Sequence, residues 1–242
     1  MVFLLVNPRR MHWKSPAMNT RCLWASLIVC ASLVLPSVVA AATVQPSGFL
    51  QDYHRLNHVG GVPLEQVWIH PEFDVREYRS VYVAPVQIDP WAYRRHGESD
   101  REAARQIGAA FQATVEQRLR DAQIFPFVSS DPYFAAARHQ ALRLEVRITE
   151  VNSGHAGVRS FIGFGAGATE FQIEGKVIDQ KTCRTLVEFA DRRKHPGGAL
   201  FVGREASDNA AYLMGIDAKM MLDGVVKLFI YLREEGPPHR QR

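Results

Sequence analysis

No aspartate or glutamate occurs in the first 42 of the chain's 242 residues, although 25 acidic residues follow. Those 42 positions hold Arg9, Arg10, Lys14 and Arg21, so the remainder carries 25 basic against 25 acidic residues and is formally neutral. The net charge of +4 belongs to the leader. A domain that grips nucleic acid needs a basic field of its own, and the even balance argues against one. Cysteine is nearly as scarce: Cys22 and Cys30 lie in the leader, which leaves Cys183 alone and no internal disulfide. Also absent are Gly-x-Ser-x-Gly, Cys-x-x-Cys and His-Glu-x-x-His, the short patterns that mark an esterase nucleophile, a redox pair and a zinc protease. His54 and His58 are four apart but have no Glu between them and read as surface histidines. No cofactor or metal is expected.

The glycines of "FIGFGAGATEFQIEGKVID" raise the question of a phosphate cradle. Such a cradle needs a strand before it and a helix after it, so that free helix N–H groups face the anion. Here Phe171, Ile173 and Val177 alternate with polar residues, and Leu142 to Thr149 alternate in the same way. Gly163, Gly165 and Gly167 therefore join strand to strand.

What is present begins with the leader. Cys22 to Leu35 is an uncharged apolar run, followed by Pro36 and by small residues at Val38 and Ala40. That layout predicts a secretory signal peptide cut after Ala40 or Ala42, over residues 1–42, or 18–42 if Met18 rather than Met1 or Met11 is the start. The alternative is a retained anchor, since Cys22 to Ala42 is long enough to span a bilayer. A lipid-bearing cysteine follows a small residue, whereas Cys30 follows Leu27-Ile28-Val29, which argues against a lipid anchor.

Residues 43–78 read as an irregular lead-in, 79–233 as one domain and 234–242 as a disordered tail. Within the domain, the pattern predicts a strand over Ser80 to Asp89, bent at Pro85. Ser99 and Glu102 form a capping box for a helix to about Ala122, with Ile107, Phe111, Val115 and Leu119 on its buried face. Further strands are predicted at 125–128, 141–151, 168–179 and 184–192, the last two forming a hairpin, and an amphipathic helix over Ser207 to Arg233. This is an α+β fold, a mostly antiparallel sheet with two long helices packed on it.

Three blocks, "SGFLQDYHRL", "YVAPVQIDP" and "GAGATEFQIEGKVIDQKTCRTL", resemble an uncharacterised bacterial family of envelope lipoproteins known only as a domain of unknown function. The first block, Ser47 to Leu56, carries the most specific likeness. The resemblance implies export to the periplasm, an envelope domain and association with the outer membrane; it implies no catalytic residues. The chain departs from the family in lacking a usable lipidation cysteine.

Two functional readings follow. The first is a non-enzymatic periplasmic or secreted protein that binds an envelope protein partner, with Phe161, Ile162 and Phe164 as an apolar loop that either caps the sheet or reaches a partner. The second is a periplasmic hydrolase whose residues converge from distant loops; no catalytic residue is assigned, and Asp52, Glu72, Asp74 and Asp89 are either paired acids or simply solvated loop residues. Cys183, in the turn between two strands, is either an accessible free thiol or a small buried hydrophobe.

Overall fold

The structure is a computed structural model and describes residues 43–92, 98–133, 140–152, 169–195 and 210–236. Seven strands form one sheet: β1 Gln66–Ile69, β2 Ser80–Val83, β3 Gln87–Ile88, β4 Phe127–Ser129, β5 Ala141–Asn152, β6 Thr169–Asp179 and β7 Thr185–His195. Their order is β1-β7-β6-β5-β2-β4, with β3 also paired to β5. The two long helices are α1 Glu98–Asp121 and α2 Ala210–Glu235.

The sheet is mixed, not mostly antiparallel. β5, β6, β7 and β1 run antiparallel, whereas β2 pairs in parallel with both β4 and β5, and β3 pairs in parallel with β5. The cause is the crossover through α1: a helix between adjacent strands returns the chain to its starting end, so the next strand enters in the same direction. The predicted strand from Ser80 to Asp89 is broken at Ala84-Pro85-Val86 into β2 and β3. A proline has no N–H to give to the ladder. The 43–78 stretch is more ordered than its sequence suggests, with 3₁₀ turns at Tyr53–Arg55 and Val75–Glu77 and the edge strand β1 between them. Helix α1 begins at Glu98, where the Glu102 carboxylate accepts from Arg105 and Gln106, and the Ser99 side chain of the anticipated capping box lies outside the described residues.

One face of the sheet holds the core. Leu142, Leu144, Val146 and Ile148 of β5, Phe171, Ile173 and Val177 of β6, and Val187 and Phe189 of β7 pack with Phe111, Val115 and Leu119 of α1 and Met221, Val225 and Phe229 of α2. Each such large side chain contributes about 1.5–3 kcal/mol by leaving water. Gly175 is required in this layer. A Cβ there would lie 2.0 Å from Cζ of Phe189, because the Phe189 ring occupies the space above the glycine. At the end of α2, Gly236 takes φ 72° and its N–H reaches the Leu232 carbonyl at 3.2 Å, a left-handed cap.

Candidate functional site

The other face of the sheet carries the polar half of the alternation. Its β6 positions are Glu170, Gln172, Glu174 and Lys176, which sit opposite Lys194, Arg192, Ala190 and Glu188 of β7. A face of this composition ordinarily meets water. Here Glu174 and Glu188 are wholly buried, because residues 43–57 lie across them as a strap.

The strap is held by hydrogen bonds aimed at those two carboxylates. Ser47 donates its N–H and its hydroxyl to Glu174, the hydroxyl at 2.8 Å, and the Tyr53 hydroxyl donates to the same carboxylate at 2.7 Å. The Tyr53 oxygen in turn accepts from the N–H groups of Ser47, Gly48 and Leu50 at 3.0–3.3 Å. Glu188 accepts from the Gln51 N–H at 2.8 Å and from the Arg55 guanidinium at 2.7 and 3.1 Å. Gln172 exchanges two hydrogen bonds with the backbone of Gln45, and Arg192 joins the Thr43 carbonyl to Glu150 and Glu170. Apolar contacts fill the remainder: Val44, Phe49, Leu50 and Leu56 cluster on Ala190. Arg147 and Lys176 lie over the Phe49 ring, and Arg55 over Trp68 at 3.6 Å.

Burial pushes the Glu174 carboxyl up, and its Tyr53 and Ser47 donors pull part of the way back. The Tyr53 phenol is likewise raised, first by burial. Glu170 goes the other way: burial alone would raise it, but its bond from Lys194, the neighbouring Glu150, and the charges of Lys194 and Arg192 bring it to about 2.

At one end of the strap a cavity of about 330 Å³ opens, lined among others by Ser47, Asp89, Trp91, Thr149, Glu150 and Asn152. Its floor is a β-bulge. The β5–β6 register shifts between Ile148 and Glu150, which leaves Thr149 without a cross-strand partner. Asp89 is 8% exposed, and its Oδ1 accepts the Trp91 N–H at 2.8 Å. A second cavity, of about 490 Å³, lies where α1 meets β4 and is lined by Arg120, Phe125, Phe127 and Arg233.

The residues singled out from the sequence fare unequally. Phe161, Ile162 and Phe164 lie outside the described residues. Cys183 is exposed and takes φ 58° in the β6–β7 turn, where the Asp179 side chain accepts the N–H groups of Lys181 and Thr182. The four carboxylates do not converge. Asp52 and Asp74 cap the two 3₁₀ turns, Glu72 pairs with Arg184, and only Asp89 reaches a cavity. Among the described residues no group of three His, Cys, Asp or Glu side chains is placed to hold a metal ion. Sequence reasoning missed Glu174, Glu188 and Trp91. The available signal was the block Ser47 to Leu56, whose donors Ser47, Tyr53 and Arg55 needed acceptors somewhere in the fold.

The model of a family described as a domain of unknown function, DUF4410, matches residues 74–201. The strap precedes that span. No curated protein matches the chain in sequence. Among solved structures, the chain is similar to the PelC dodecamer from Paraburkholderia phytofirmans, over 64% of this chain and 94% of that one, at 12% identity and a TM-score of 0.38. It is also similar to protein XCC0632 from Xanthomonas campestris, over 68% and 89%, at 12% identity and a TM-score of 0.36. Lipoprotein GNA1162 from Neisseria meningitidis is matched over 61% and 97%, at 13% identity and a TM-score of 0.25.

Proposed function

The chain belongs to the DUF4410 family, whose function is unknown, and on that premise we propose that it is an exported cell-envelope protein that binds a partner rather than catalysing a reaction. The observation that carries this reading is the use made of the buried carboxylates. A hydrolase built on paired acids needs them open to substrate, whereas Glu174 and Glu188 are occupied by donors of the strap. The strap starts where the leader would be cut, so processing after Ala40 or Ala42 leaves the whole strap on the mature chain. Among the described residues no helix is long and apolar enough to cross a membrane, and membrane association would rest on the leader.

Partner binding falls to the loop carrying Phe161, Ile162 and Phe164. The test has two arms. Intact mass of the exported protein should give a start at Ala41 or Thr43 without an acyl chain; an uncut chain in the cytoplasm, or a diacylglycerol on Cys30, overturns the export reading. Phe164→Ser should leave the melting temperature nearly unchanged and abolish cross-linking to one envelope protein seen with the unaltered chain. A large loss of stability would place Phe164 in the core instead.

A further inference from the structure

We propose that the cavity between the strap, the β5 bulge and Trp91 is a saccharide-binding site. This goes beyond partner binding and stands independently of it, since it uses none of Phe161, Ile162 and Phe164.

Trp91 is 65% exposed, while most other large apolar side chains among the described residues are buried. An indole left in water forgoes part of the roughly 1.5–3 kcal/mol that burial of a large side chain brings. The chain is anchored at the cavity rim here, because the Trp91 backbone N–H donates to Asp89 Oδ1. An aromatic ring positioned beside a concave polar cavity is suited to a ligand with one flat apolar face and a polar rim.

The cavity supplies what such a rim requires. Asp89 is largely buried, its side chain 11% exposed, yet its Oδ2 accepts no hydrogen bond among the described residues, where it pairs only loosely with Arg147 Nη1 at 3.9 Å. A carboxylate oxygen so placed takes a hydroxyl donor in a charge-assisted bond. Thr149, projected by the bulge, accepts from Gln172 at 3.0 Å and keeps its own O–H for an acceptor. Glu150 is locked by Arg192 at 2.8 Å and so forms a fixed wall. One acceptor, one donor and an aromatic face match a pyranose ring, which offers adjacent hydroxyls around its edge and C–H bonds on its face. The volume of about 330 Å³ suits a mono- or disaccharide. Asp89 and Glu150 disfavour phosphate and carboxylate ligands by charge, and the polar lining disfavours an acyl chain.

The experiment uses the full chain and a panel of glucose, galactose, N-acetylglucosamine, cellobiose and chitobiose, with tetramethylammonium as a cationic control. Titration calorimetry and tryptophan fluorescence report binding. At least one sugar should bind saturably with a shift in fluorescence, and Trp91→Ala should weaken it about tenfold or more with the melting temperature unchanged, since the ring is mostly in water. Asp89→Asn should weaken it as well. Saturable binding by none of the sugars, binding indifferent to Trp91→Ala, or tighter binding of tetramethylammonium than of any sugar would overturn the proposal.

Discussion

Replacing Tyr53 by Phe removes one oxygen and tests whether the strap is latched through it. The hydroxyl accepts three backbone N–H groups and donates to Glu174. The N–H groups of Ser47 and Gly48 lie at the surface, where water replaces the lost acceptor at little cost. The bond to Glu174 is different, because that carboxylate is wholly buried. Loss of one donor to a buried charged group costs about 1.5–3 kcal/mol, so Tyr53→Phe should destabilise by about 2 kcal/mol. Burial has already raised the Glu174 carboxyl, and losing the donor raises it further. A raised folded-state carboxyl contributes stability that is full below its unfolded value and is lost as pH rises through its folded value. The deficit of Tyr53→Phe should therefore be larger at neutral pH than in mild acid. Urea denaturation at two pH values measures it, and hydrogen exchange at the amides of Ser47 to Leu50 localises it. A deficit below about 0.5 kcal/mol, within the range of ordinary surface substitutions, with unchanged exchange in the strap, would refute the latch.

Three further outcomes are expected. Gly175→Ala drives a methyl group into the Phe189 ring, which cannot move without displacing the core, and should cost about 1–3 kcal/mol or more in chemical denaturation; a neutral effect would show that the ring has room to shift. Glu170, depressed to about 2, contributes stability present above the ordinary carboxylate value and lost as pH falls toward 2, so Glu170→Gln should flatten the acid limb of a pH–stability curve. An acid limb equally steep without Glu170 would contradict its pairing with Lys194 and Arg192. Cys183 should react with a thiol reagent in the native state, and Cys183→Gly should fold at least as well because glycine accepts φ 58° without strain; a thiol that reacts only after denaturation would contradict its exposure.

Much of the fold was legible in the sequence where the chain is long and periodic. The alternation of β5 and β6, the hairpin turn at Asp179 to Arg184, and the stripes Phe111-Val115-Leu119 and Met221-Val225-Phe229 all carry their partners' geometry in their own spacing. The scarcity of cysteine, the acid-free leader and the even charge of the remainder likewise needed no structure. Other features depend on what a segment meets. β1 is four residues, too short for its own period to register, and exists because β7 offers it an edge. The parallel pairing of β2 with β4 and β5 follows from the path through α1, not from any residue in β2. The candidate site lies wholly on this second side. Glu170, Gln172 and Glu174 occupy outward positions that a period of two assigns to water, and the strap that covers them comes from more than a hundred residues earlier in the chain. Local spacing decides which face of a strand a side chain takes; what then covers that face is decided by contacts between distant segments, and so only by the tertiary fold.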